Sequence, residues 1–124
     1  MIVAMLRYYF RPGVDIEEYQ RLGTEMSEVI NKIPGYLADK DFSAPDGEQV
    51  SVVQFASLEA FYLWRDNYRH ITIKRRGREE FFYSYHITVS SVIDTYSSAV
   101  PQFEQKAVPP PEDNSKEQST IGGD

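Results

Sequence analysis

The chemistry open to this chain starts from the few side chains that can take up or stabilise charge near neutral pH. It has 2 His and no Cys. His70 is the natural candidate base, because an unperturbed imidazole titrates close to neutrality. Around it in sequence lie Trp64, Asn67, Tyr68, Arg78 and Tyr83. Trp64 and Tyr68 are four residues apart, which places them on one face of a helix that continues that far. These residue types suit a pocket for a flat aromatic molecule. Trp and Tyr wall the ring, Asn and His offer hydrogen bonds, and Arg steadies an anion. Arg7, in the middle of an apolar stretch, is a further charged candidate.

Each candidate has a plainer reading. His70 reads equally as a surface or interface histidine, and Trp64 as ordinary core. Arg78 reads as an ion-pair partner of Glu79 or Glu80, and Arg7 as a residue paired across an interface. His86, at the start of the last strand, reads as structural. The stretch from Arg65 to Arg78 carries Arg65, Arg69, Lys74, Arg75, Arg76 and Arg78 against Asp66 alone. It is either a solvated helix face or an anion-attracting rim.

Composition narrows the classes. The chain has 124 residues, 41% hydrophobic and 26% charged, the range of a globular domain rather than a disordered one. No apolar run approaches the roughly 18 residues of a membrane helix. Residues 2–10 lack a charged leader and a small-residue cleavage site, so a cytoplasmic protein is expected. The absence of Cys excludes disulfides, thiolate metal sites and a Cys nucleophile. Two histidines make an all-protein zinc site a poor reading. A net charge of −6 argues against nonspecific nucleic-acid binding. That charge divides equally between residues 1–96 and a Pro-rich acidic tail at 97–124. The tail reads as disordered, with docking through Val100 or Phe103 as the alternative.

The elements follow from patterning. Residues 2–10 read as a strand with apolar residues on both faces. Arg11-Pro12-Gly13 ends it. Asp15 caps a helix over about 16–32, with Glu18 at the capping-box position, and Pro34-Gly35 stops it. Residues 36–43 and 49–56 form a hairpin across Pro45-Asp46-Gly47-Glu48. Ser57 caps a second helix that pauses near Asn67–His70 and resumes to about Tyr83, interrupted at Gly77. Residues 86–96 read as the last strand. The order β-α-β-β-α-β predicts a ferredoxin-like α+β domain over residues 1–96. Its antiparallel sheet is covered by helices on one face only. Val3, Met5 and Tyr9 on the other face call for a second copy, and hence a homodimer.

Several strings in this order resemble the antibiotic biosynthesis monooxygenase family of dimeric α/β barrels. They are Arg11-Pro12-Gly13-Val14-Asp15, Ile33-Pro34-Gly35-Tyr36, Pro45-Asp46-Gly47 and Phe55-Ala56-Ser57-Leu58-Glu59-Ala60. Trp64-Arg65, His70 and Arg75-Arg76-Gly77-Arg78-Glu79-Glu80-Phe81-Phe82 follow. The resemblance covers about residues 3–96 and implies the fold more firmly than a reaction. One implied activity is cofactor-independent oxygenation of an aromatic or polycyclic small molecule. His70 and Arg78 would then be catalytic, and Trp64, Asn67, Tyr68, Tyr83 and Arg7 would bind substrate. The family's haem-degrading branch is a weaker match. Trp64 fits it, the first strand has no Asn, and His70 sits one turn before the expected position. A third reading is a non-catalytic ligand-binding or structural barrel.

Overall fold

The structure, a computed structural model, describes residues 1–98. The reading of the acidic tail, and of Val100 and Phe103 within it, therefore lies outside the described residues apart from Ser97 and Ser98. The chain divides into two units, Met1–Ser91 and a second that starts at Val92.

The first unit holds every regular element. Strand β1 spans Ile2–Phe10, helix α1 Ile16–Ile30, β2 Tyr36–Ser43, β3 Gln49–Phe55, α2 Leu58–Arg65, α3 Tyr68–Arg76 and β4 Phe82–Ser91. A π-helical turn, Gly77–Phe81, joins α3 to β4. The strands lie in the order β2-β3-β1-β4, with every pairing antiparallel. This is the ferredoxin-like α+β arrangement expected from the sequence, with β3 threaded between β1 and β2. The two helix starts are chemical. Asp15 accepts from the Glu18 amide at 3.0 Å, and Ser57 from the Ala60 amide at 3.1 Å.

Two departures from the expected elements matter for the site. The second helical stretch breaks outright at Asp66-Asn67, and α3 starts afresh with Asn67 as its cap, accepting from the His70 amide at 3.0 Å. β4 begins at Phe82 and ends at Ser91, rather than running over 86–96. The reason lies in its pairing with β1. Phe10 opposes Phe82 while Tyr9 opposes Ser84, so Tyr83 is the extra residue of a bulge. The bulge shifts parity, and Phe82 and Tyr85 come to face the same side. Arg11 holds this junction. Its guanidinium donates to the carbonyls of Phe82 and Arg78, both at 2.9 Å.

The core is two clusters rather than one. Ile2, Ile30, Phe55, Ala60 and Trp64 form the first, in which Phe55 is fully buried. Tyr8, Leu22, Ile73, Phe81 and Phe82 form the second. Met26 packs against both. Close approach is enforced by Gly35, whose φ is +91° and where a Cβ would lie 2.6 Å from that of Ala60. Gly23, inside α1, has open space around its Cβ position. Gly35→Ala is expected to destabilise the fold by more than about 1 kcal/mol, from strain plus overlap. Gly23→Ala should stabilise it by roughly 0.5–1 kcal/mol through helix propensity. Chemical denaturation of the two variants checks both signs.

Candidate active site

A cavity of about 560 Å³ separates the helices from the sheet. It draws its wall from both clusters, Trp64 and Ile30 from the first and Tyr8, Leu22, Ile73, Phe81 and Phe82 from the second. Strand alternation decides which sheet residues reach it. Ala4, Leu6 and Tyr8 come from β1, Ser51 and Val53 from β3, and Ile87 and Val89 from β4. The lining is mainly apolar with a few polar groups, the composition of a small-molecule site.

His70 is the most constrained of those polar groups. Its ring stacks on the Trp64 indole, with centroids 3.8 Å apart and planes 11° from parallel. Its Nδ1 lies 2.7 Å from the Trp64 carbonyl oxygen. A carbonyl only accepts, so Nδ1 carries the proton. Nε2 is then the acceptor nitrogen, and it has no protein partner among the described residues. Nor is it an orphaned buried atom; among those residues that description fits only Glu25 Oε1. Nε2 is therefore accessible, on a residue that lines the cavity. Burial pushes the imidazole pKa down to about 4, against the pull of the Trp64 carbonyl, and Lys74 adds to the lowering. At neutral pH His70 is an uncharged base in a fixed tautomer.

Charge is unevenly placed around the cavity. Lys74 and Arg78 line it and form no ion pair among the described residues. The rest of the basic stretch is largely neutralised. Arg65 pairs with Asp66 at 2.8 Å, Arg69 with Glu25, and Arg76 with Glu18 and Glu80, both at 2.7 Å. Asp39 and Asp41 line the cavity from the edge strand β2. The Tyr36 hydroxyl donates to Asp39 at 2.6 Å and the Ser51 hydroxyl to Asp41.

The structure thus brings Trp64, His70 and Arg78 into the lining of one cavity. It places the other four candidates elsewhere. Arg7 alternates with Leu6 and Tyr8, points to the opposite sheet face and is held by Glu48 at 2.8 Å. Asn67 has its side-chain oxygen occupied by the α3 cap. Tyr68 follows the helix break and is 81% exposed, so it does not share a face with Trp64. Tyr83 is the bulge residue and is 76% exposed. His86 opposes Arg7 across β1–β4, on the face away from the cavity.

Sequence reasoning missed Tyr8 and Tyr19. The Tyr19 hydroxyl donates to that of Tyr8 at 2.8 Å, and both rings line the cavity. Burial raises both phenol pKa values, and for Tyr19 the bond it donates to Tyr8 adds to the effect. Their signal in the sequence was a phenol on each inward-facing stripe, at positions where phenylalanine would pack as well.

No family model matches the sequence, and no curated protein matches it either. Solved structures do. Rv0793 from Mycobacterium tuberculosis superposes with a TM-score of 0.66 at 18% identity, covering 77% of this chain and 98% of that one. A crystal structure of an antibiotic biosynthesis monooxygenase gives 0.64 at 14% identity, over 76% and 100% of the two chains. This chain has the fold of the antibiotic biosynthesis monooxygenases. SnoaB, a cofactor-independent oxygenase from Streptomyces nogalater, has the same fold, with a TM-score of 0.65 at 10% identity over 78% and 97%.

The buried imidazole carries a pH signature. Its folded pKa is depressed below the ordinary 6.5, so the unfolded chain binds the proton first. The stabilisation is complete above about pH 6.5 and is lost as pH falls towards about 4. Glu18, held near about 2 by Arg21 and Arg76, loses its contribution mostly below that window. Thermal melts of the wild type should show a falling Tm between pH 6.5 and 4. The fall should flatten in His70→Gln.

Proposed function

We propose that the chain is a cofactor-independent monooxygenase acting on a phenolic aromatic or polycyclic small molecule. The observation that carries this reading is the neutral His70, locked by the Trp64 carbonyl, in the lining of a cavity rich in aromatic side chains. The likeness to SnoaB supports the reaction class.

The chemistry needs a substrate that reduces oxygen itself. A phenolic hydroxyl gives its proton to Nε2, and the ring carries the negative charge to the carbon para to it. Lys74 and Arg78 steady the resulting anion, whose charge spreads over the ring oxygens. Trp64 supplies one apolar wall. The carbanionic carbon bonds dioxygen to give a hydroperoxide, which takes up the proton. A second proton leaves that carbon as the O–O bond breaks, and water departs to leave a new ring carbonyl. One oxygen atom ends in the product and one in water, and all the electrons come from the substrate.

The reading includes a second copy of the chain. The sheet face away from the helices carries Val3, Met5, Val50 and Val52 at its centre, and Phe42 on it is 51% exposed. On this face Arg7 pairs with Glu48 and the Tyr9 hydroxyl with Asp46 at 2.7 Å, while the Lys40 ammonium lies 5.8 Å from the centre of the Phe42 ring. Such a face suits a self-complementary contact. Light scattering should find a dimer, and a monomer at micromolar concentration would sink this part. Oxygen uptake with a panel of anthrones and hydroquinones tests the chemistry. His70→Gln should lower kcat by about 100-fold or more. Unchanged turnover in that variant would remove His70 from its role.

A further inference from the structure

The two phenols missed by sequence reasoning hold one hydrogen bond between them, and that leaves one phenolic proton over. Tyr19 is the donor in that bond, so the spare proton belongs to Tyr8. Tyr8 has no acceptor for it among the described residues. The ring around it is fixed on several sides. Phe10 and Phe82 contact it at centroid distances of 5.3 and 4.5 Å. Tyr19 itself packs on Phe10 and Phe81. A donor held this firmly on a cavity wall costs little reorganisation when it meets an acceptor.

Tyr8 and His70 both line this volume. His70 stacks on Trp64 of the first cluster, whereas Tyr8 belongs to the second. One offers a proton and the other a lone pair. The charges beside them differ as well. Lys74 acts on His70, which favours an anion there, while Asp41 acts on Tyr8 and Tyr19, which disfavours one. A neutral acceptor such as a ketone oxygen suits the Tyr8 side. An acidic hydroxyl suits the His70 side.

We infer that Tyr8 is a specificity-determining hydrogen-bond donor, positioned by Tyr19, that selects ring ketones and orients them with carbonyl towards Tyr8 and hydroxyl towards His70. This rests on the oxygenase reading for its reaction but on binding alone for its test.

Isothermal titration with two probes of one skeleton isolates the donor. One is a hydroxytetralone, with hydroxyl and ketone at opposite ends, and the other is the tetrahydronaphthol that lacks the ketone. The full-length wild type should bind the ketone about tenfold more tightly. Tyr8→Phe should bring the two affinities within about twofold of each other while leaving tetrahydronaphthol binding unchanged, which also shows that the variant is folded. Tyr19→Phe leaves Tyr8 its proton and should retain more of the preference. Equal binding of both probes by the wild type, or a preference that survives Tyr8→Phe, overturns the inference and leaves the oxygenase reading standing. Binding of neither probe overturns both. A ketone preference without oxygen uptake keeps the donor and removes only the reaction.

Discussion

The site depends on one hydrogen bond, from His70 Nδ1 to the carbonyl oxygen of Trp64. That oxygen is available because the helix breaks two residues later. At Asp66-Asn67 the α2 ladder stops, and the Trp64 carbonyl receives the amides of the capping Asp66 and of Asn67, the latter at 3.2 Å, where an unbroken helix would give it the amide of Tyr68. His70 satisfies the remainder. In doing so it turns its ring flat onto the indole of the same residue and fixes its own tautomer. Asn67 supports the arrangement from beneath by capping α3 through the His70 amide. Removing that cap would cost about 1 kcal/mol and loosen the imidazole. The direction of α3 then follows, which carries Ile73 and Lys74 onto the cavity and Tyr68 off it.

The same segment explains why the cavity exists in so small a fold. A helix packed flat on the sheet along its length would close the gap between the two clusters. Instead α2 serves the first cluster, α3 the second, and the π-helical turn returns the chain to β4. Gly77 makes that return tight, since a Cβ there would lie 2.8 Å from the Phe82 ring. Arg11 clamps the turn by its carbonyls. π-helical insertions often mark functional sites because they re-aim side chains within a short distance. Here the turn places Arg78 and Phe81 on the cavity wall together.

Much of the fold was legible in the sequence because local rules and global topology agree. The Asp15 and Ser57 caps, the Pro34-Gly35 stop and the alternation of β1 each fixed an element boundary or face. The last strand was misplaced because its bulge hides the period-two pattern at Tyr83 and Ser84. Among the site residues, Trp64 and His70 were legible by type. Tyr68 was not, because helical spacing held meaning only for an unbroken helix. The face of Arg7 stayed open because a strand with apolar residues on both faces does not say which face meets the helices. Glu48 answers that question only once β3 is beside β1. The Tyr8–Tyr19 bond joins a strand to a helix, and nothing local announces it.

The tautomer of His70 tests this account most directly. Nitrogen-15 NMR of the imidazole at neutral pH separates the protonated ring nitrogen from the bare one. The structure predicts a neutral ring with a pyrrole-type Nδ1 and a pyridine-type Nε2. An Nε2-protonated tautomer, or a charged imidazolium at pH 7, would contradict it.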